Sequence, residues 1–309
     1  MSNLAETNYD DLEEILKKHH QGFHMGEFLP TKEADPLKID LENYFSADRY
    51  VERAVLGVDI YRYSKYPETQ QLLIPIIFEL LYNNSMNLCK KCEMFLFQNI
   101  KLEDFPNSFI SIGDGGFQIL PTPLHAFLYA CYFEEVVRAF NSYSILAGLR
   151  HIVGPLSLRY ALTLGKVFHF KNNFFGEAII NNARILSRDT LNRFLLDNNA
   201  HDWFLHKVGG FETLRLVDLE TLSQLQDFKE YDKALIAKTN IIIKSDKSKK
   251  PSDIDFLSIQ KIGLVEPKGT SLDVYSLYAQ IGAIVTSKED PHNEKKLVVA
   301  IGNTNSSGI

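Results

Sequence analysis

The chain has 309 residues, 45% of them hydrophobic, and a formal net charge of −6. That is long for one domain and short for two large ones, so a single elaborated domain with a real core is expected. Apart from a short lysine cluster at residues 244–250 there is no basic block, which excludes an electrostatic nucleic-acid surface and leaves a mononucleotide as the more suitable nucleotide ligand.

In chain order, residues 1–48 are polar, charged and helix-prone around 9–20, and read as an N-terminal arm with no signal-peptide pattern. Residues 53–60 form an apolar strand that delivers Asp59 at its end. Helical periodicity covers 69–97 after a turn at 66–68, with Pro75 either near the helix start or kinking it. The longest apolar stretch, 72–81, contains Pro75 and Glu79 and falls short of the ~20 residues of a membrane span, so no membrane association and a cytoplasmic location are expected. Cys89 and Cys92 form one Cys-x-x-Cys; no second pair completes a zinc site, and with Cys131 they fit buried helix faces in a reducing compartment. Residues 109–120 form a hairpin that delivers Asp114, where Gly115 and Gly116 permit the reversal.

Pro123 then opens a helix to residue 143. Residues 156–170 supply strand material and 176–187 a further helix. A charged, irregular insertion occupies 202–255, with the lysine cluster in a solvated loop. Two strands, 256–261 and 271–280, close the main domain of residues 49–285, and 286–309 reads as a polar tail around an apolar patch at 297–301. Strands alternating with helices, but with hairpins among them, argue for an α+β fold: a central, mainly antiparallel sheet flanked by helices. Neither a P-loop nor a Gly-x-Gly-x-x-Gly turn is present.

Asp59 and Asp114 are the most informative residues. An acid at a strand end also suits a plain turn, but two such carboxylates at one sheet edge can converge on Mg²⁺ or Mn²⁺, cations that prefer oxygen ligands. After them comes Gly176-Glu177-Ala178-Ile179-Ile180-Asn181-Asn182-Ala183-Arg184. This succession resembles the class III nucleotidyl cyclase domain, in which a strand-end Asp, a Gly-Asp-Gly hairpin and a Gly-x-x-x-Asn-x-x-x-Arg helix follow one another at about these intervals. The resemblance covers residues 53–278.

The resemblance implies cyclisation of a nucleoside triphosphate on two Mn²⁺ or Mg²⁺ ions per active site. Asp59, Asp114 and the Ile60 carbonyl would hold the ions, and residues 61–64 would cradle the triphosphate by position. Arg184, eight residues after Gly176, matches the arginine that stabilises the pentacoordinate phosphorus, a task suited to a planar, permanently charged fork of donors. The ribose-orienting asparagine belongs four residues after the glycine, where Ile180 stands. Asn181, one place later, is the candidate, displaced by about 100° around the helix. Lys268 resembles the lysine that grips the triphosphate, with Lys261 as its competitor. The family's sites are shared across a two-fold homodimer, the acids from one subunit and the Asn–Arg helix from the other.

At the family's base-reading positions stand Ile110, three residues before Gly113, and Asn173, three before Gly176. Neither purine code is present. An apolar Ile110 fills space that a larger base would occupy, and an amide both donates and accepts. This pairing resembles the bacterial pyrimidine cyclases of the Pycsar anti-phage system, which implies UTP or CTP as substrate, cyclic UMP or cyclic CMP as product and a separate effector protein activated by that product. UTP is the first reading. The alternatives are a cytidylate cyclase, a purine cyclase of unusual selectivity, an inactive cyclase-like nucleotide-binding module and a scaffold whose acids only cap turns. His125, His169, His201, His206 and Trp203 are assigned no chemistry.

Overall fold

The computed structural model describes residues 4–19, 34–46, 49–142, 146–208, 252–265, 271–286 and 294–309. The elements run β1 (Glu6–Thr7), α1 (Tyr9–Lys18), α2 (Ala34–Phe45), β2 (Val51–Ile60), α3 (Glu68–Cys92), α4 (Asp104–Asn107), β3 (Phe109–Ser111), β4 (Gly115–Leu120), α5 (Pro123–Ser142), α6 (Ala147–Val153), β5 (Leu158–Phe170), β6 (Asn173–Phe175), α7 (Glu177–Arg188), β7 (Phe194–Asp197), α8 (Asn198–Val208), β8 (Ser252–Val265), β9 (Leu272–Thr286) and β10 (Glu294–Gly302). The strands form one sheet ordered β10-β9-β7-β5-β2-β4-β3, with β1 and β6 on β5 and β8 on β9. Among these pairings only β1–β5 and β5–β7 are parallel, so the α+β, mainly antiparallel expectation is borne out.

Strand alternation decides which side chains meet which helices. On β2, Ala54, Leu56, Val58 and Ile60 join the larger core, built with Ile77, Phe78 and Leu81 of α3 and Phe127, Phe133 and Phe140 of α5. Val55 joins a second core with Ala178, Ile185 and Leu186 of α7. Asp59, two pleats beyond Val55, therefore faces the α7 side of the sheet. α7 lies close because Gly57 has no Cβ: one built there would stand 2.0 Å from Asn182 Oδ1. Asn182 Nδ2 donates to Val55 O (2.7 Å), Ala161 O (2.9 Å) and Thr163 Oγ1 (3.2 Å), which fastens the helix to the middle of the sheet.

Pro75 lies inside α3. It has no N–H for the carbonyl four residues back, and the Tyr63 hydroxyl donates to that Gln71 carbonyl instead (3.0 Å). By length and composition α3 could cross a membrane, yet Ile74, Ile77, Phe78 and Leu81 are spent on the larger core.

Several elements depart from the sequence reading. β8 extends beyond the expected 256–261 at both ends, because register shifts at Ile254/Phe256 and Lys261/Gly263 break the alternation that marks a strand; β9 runs past the expected end at 280 to Thr286. The apolar patch at 297–301, read as part of a tail, belongs to β10, paired with β9. Residues 34–45 are helical within the expected arm. β7 has only four residues and runs straight into α8, too short to show a period; Asp197 caps that helix by accepting from Ala200 N–H (2.8 Å). Of the expected insertion, 202–208 lie in α8 and 252–255 in β8, while the lysine cluster lies outside the described residues.

Candidate active site

Pairing of β2 with both neighbours brings three residues together. Asp59 stands opposite Gly115 on β4 and opposite Arg159 on β5, and Ile60 N–H donates to the Asp114 carbonyl (3.1 Å), tying the second acid's turn to the end of the first strand. That turn needs Gly113, at φ 102°, a conformation that side-chain-bearing residues rarely adopt. The carboxyl of Asp59 is buried, 6% exposed, and Arg159 Nε donates to its Oδ2. Burial pushes the Asp59 pKa up to about 6; Arg159 opposes that shift, and the neighbouring Asp114 carboxylate adds to it. The two acids predicted from sequence thus face each other in one cleft.

The cleft has a volume of about 360 Å³ and is lined by Asp59, Asp114, Arg159, Arg62 and Ser64, with Leu186 of α7 at its side. The loop leaving β2 forms one wall. Tyr61 N–H donates to Ser157 O (2.9 Å) and Lys65 N–H to Arg62 O (2.9 Å), closing a single 3₁₀ turn over Tyr63–Lys65.

Arg159 was not among the sequence candidates. A signal existed: it is a charged residue next to the start of a strand whose first half is otherwise largely apolar, but strand material over 156–170 does not by itself say which residue lies opposite Asp59. A second arginine, Arg159's neighbour in the same cleft, is Arg62.

Asn181 and Arg184 lie elsewhere in the chain. They line a separate cleft of about 480 Å³ with Phe168, Phe175, Ile179 and Ile180. Arg184 Nη1 donates to Asn181 Oδ1 (3.3 Å). Ile180, at the position where the resemblance wants asparagine, is 51% exposed, and Asn182, fully buried, serves packing. The carboxylate half and the Asn–Arg half of the predicted site therefore occupy two clefts of one chain, on either side of α7.

Neither base-reading candidate lines the carboxylate cleft. Ile110 is half-buried on β3 against the smaller core, and Asn173 is exposed on β6, its Oδ1 accepting from Phe174 N–H (2.8 Å). Lys268 lies outside the described residues. Its competitor Lys261 is paired with Asp273 (2.6 Å).

Asp59 and Asp114 form a hard-oxygen donor pair at one cleft, to which the resemblance adds the Ile60 carbonyl. Among the described residues no group of three or more His, Cys, Asp or Glu could hold a metal. A set of two acids fits Mg²⁺ or Mn²⁺, which keep several waters and share their coordination with substrate phosphates; it does not fit zinc, which needs three or four protein ligands.

No family model and no curated protein matches the sequence. Solved structures similar to the chain include the guanylate cyclase domain of RhGC from Catenaria anguillulae in complex with GTP, at TM-score 0.42 and 12% identity over 75% of this chain and 99% of that one. The adenylate/guanylate cyclase/hydrolase from Silicibacter pomeroyi gives TM-score 0.37 and 12% identity over 74% and 96%. The adenylyl cyclase CyaB from P. aeruginosa gives 0.36 and 15% over 78% and 97%. Likeness at this level leaves the function to be judged on the chain's own residues.

Proposed function

We propose that this chain is a class III nucleotidyl cyclase that converts UTP to 3′,5′-cyclic UMP and pyrophosphate, acting as the signal-generating enzyme of an anti-phage defence system whose effector protein responds to the product. The observation that carries the reading is the convergence of Asp59 and Asp114 in one cleft with Arg159 against Asp59. In the reaction the ribose 3′-oxygen loses its proton and bonds to the α-phosphorus, while the bond from that phosphorus to the β-phosphate oxygen breaks. Such a step needs positioning and charge neutralisation more than covalent help.

Asp59, Asp114 and the Ile60 carbonyl would hold two Mn²⁺ or Mg²⁺ ions. When bound, these ions supply a lowered pKa for the attacking hydroxyl and a counter-charge for the phosphates. Arg159 keeps the Asp59 carboxylate oriented, and its guanidinium faces the same cleft as the phosphates. Arg184 supplies a charged fork for the five-coordinate phosphorus, and its hydrogen bond to Asn181 holds it in place.

The two clefts on either side of α7 support a homodimer in which the carboxylates of one subunit meet Asn181 and Arg184 of the other. Ile110 and Asn173 would read the base. Asn173 Oδ1 accepts from Phe174 N–H, and its Nδ2 is a donor that suits the O4 carbonyl of uracil; neither base-reading position carries an Asp or Glu to take up the amino group of cytosine, so UTP is preferred over CTP. The exposed Ile180 where the family carries its ribose-binding asparagine favours a second reading, a cyclase-like module that binds nucleotide without turnover. Pyrophosphate release from UTP with Mn²⁺ tests the first against the second: it should occur and be abolished by Asp59→Ala and by Arg184→Ala.

A further inference from the structure

We infer that Asp189 and Arg193 are positioning residues of the active site, a buried ion pair that fixes the main-chain carbonyl holding Arg159 against Asp59; this rests on the reading given under Proposed function. The first observation is burial. Both residues lie in the connector between α7 and β7, where an acid and a base four residues apart would suit a solvated turn. Yet Asp189 is 2% exposed and Arg193 1%. Asp189 Oδ1 accepts from Arg193 Nε (2.8 Å), Arg193 Nη2 (2.7 Å) and Leu191 N–H (3.1 Å), whereas its buried Oδ2 has no hydrogen-bond partner among the described residues. A buried pair with an oxygen left over is a poor source of stability, so its place in the fold calls for another reason.

The second observation is what the pair holds in place. The Asp189 main-chain carbonyl, just past the end of α7, accepts from Arg159 Nη1 (2.5 Å), and the same guanidinium directs its Nε–H to Asp59. A guanidinium is a rigid plane, so the point at which Nη1 is held sets the direction in which Nε points. The Arg193 carbonyl accepts from the N–H of Tyr160 (2.9 Å), the residue next to Arg159. The Thr190 carbonyl accepts from the hydroxyl of Tyr61 (3.3 Å), the first residue after β2. The connector therefore grips β5, the loop leaving β2 and, through Arg159, the floor of the carboxylate cleft.

The third is the far side of Arg193. Its Nη1 donates to the Ser307 carbonyl (2.7 Å), so the guanidinium is clamped between Asp189 and the segment that follows β10. These contacts use the planar fork; a lysine ammonium on a flexible stem reproduces the charge but not both contacts at once. Neither Asp189 nor Arg193 lines the carboxylate cleft. They act on the site through Arg159.

The test labels the arginine side chains of the full chain with nitrogen-15 and follows the Arg159 Nε–H signal by NMR, assigned with Arg159→Lys. Turnover of UTP with Mn²⁺ is measured alongside, both well below each variant's melting temperature. Asp189→Asn combined with Arg193→Met removes both charges, so neither is left buried and unpaired. In that variant the Arg159 Nε–H should exchange with water about tenfold faster than in the parent, and kcat should fall about tenfold while KM moves by less than about twofold. Arg193→Lys, which keeps the charge pair but loses the clamp, should show the same changes in smaller measure, and it decides the matter if the double variant does not fold. A pair that serves folding alone lowers the melting temperature and leaves both readouts at parent values, which would overturn the inference; so would an unchanged kcat with Arg159 freed. A parent chain without turnover would overturn the cyclase reading, and the NMR signal would then decide on its own whether the pair holds Arg159.

Discussion

Arg159 and Asp59 stand directly opposite each other on neighbouring antiparallel strands, and the arginine Nε donates to the aspartate carboxylate at the floor of the cleft. Arg159 Nη1 also donates to the Asp189 carbonyl (2.5 Å), so the cation is anchored at both ends. A buried carboxylate next to a second one is costly in its charged form; Arg159 is what makes the pair tolerable before any metal arrives.

Removing that cation should be expensive. Arg159→Met leaves Asp59 buried against Asp114 with no counter-charge, and is expected to lower stability by about 3 kcal/mol. Urea unfolding with and without Mn²⁺ checks this: the ion should recover a larger part of the stability in the variant than in the parent, since it replaces the missing charge.

A shared site makes a different demand. Asp59→Ala and Arg184→Ala should each be inactive alone, yet mixing the two chains should restore one competent site per mixed dimer. Pyrophosphate release by a verified mixed dimer is the measurement, and silence from it would rule out a site built from two subunits.

The contact of α7 with the sheet predicts a packing penalty. Gly57→Ala drives a methyl group to 2.0 Å from Asn182 Oδ1 and 2.7 Å from Leu186 Cδ1, so the helix must shift, at a cost of about 1–3 kcal/mol. Because the clash is with Asn182, a double-mutant cycle with Asn182→Ala should be clearly non-additive.

Three acids with raised pKa values, Asp59 and Asp197 buried and Glu134 half-buried, contribute to the pH dependence. Burial pushes Asp59 to about 6 and Glu134 and Asp197 to about 7. A folded-state pKa above the unfolded one means the folded chain holds its proton more tightly. The contribution is then full below about pH 4 and is lost as pH rises through about 6 to 7. Metal-free protein should therefore gain stability from these groups between pH 8 and pH 5. Asp197→Asn, which keeps an oxygen for the Ala200 cap, should reduce that gain in paired unfolding curves.

What was legible in the sequence follows the physics of each signal. Asp59 and Asp114 could be read because each ends an apolar run, and a carboxylate there is conspicuous. Arg159 could not be separated from a strand-flanking surface residue until the register placed it opposite Asp59. The adjacent asparagines at 181 and 182 carried no label for which faces the sheet. One helical step sends Asn182 into three hydrogen bonds under Gly57 and Asn181 into the cleft with Arg184. The antiparallel core was visible in its hairpins, whereas β7 was too short and β8 too irregular to show a period. The left-handed backbone of Arg62, at φ 62°, has no sequence signature, since nothing in the composition of residues 61–64 announces it.

The most direct measurement is product identity. The purified chain is incubated with Mn²⁺ and each of ATP, GTP, CTP and UTP, alongside Asp59→Ala, and the nucleotides are resolved by mass spectrometry. The account predicts 3′,5′-cyclic UMP from UTP in preference to the other three, lost in Asp59→Ala. Cyclic purine products, or turnover that survives Asp59→Ala, would contradict it.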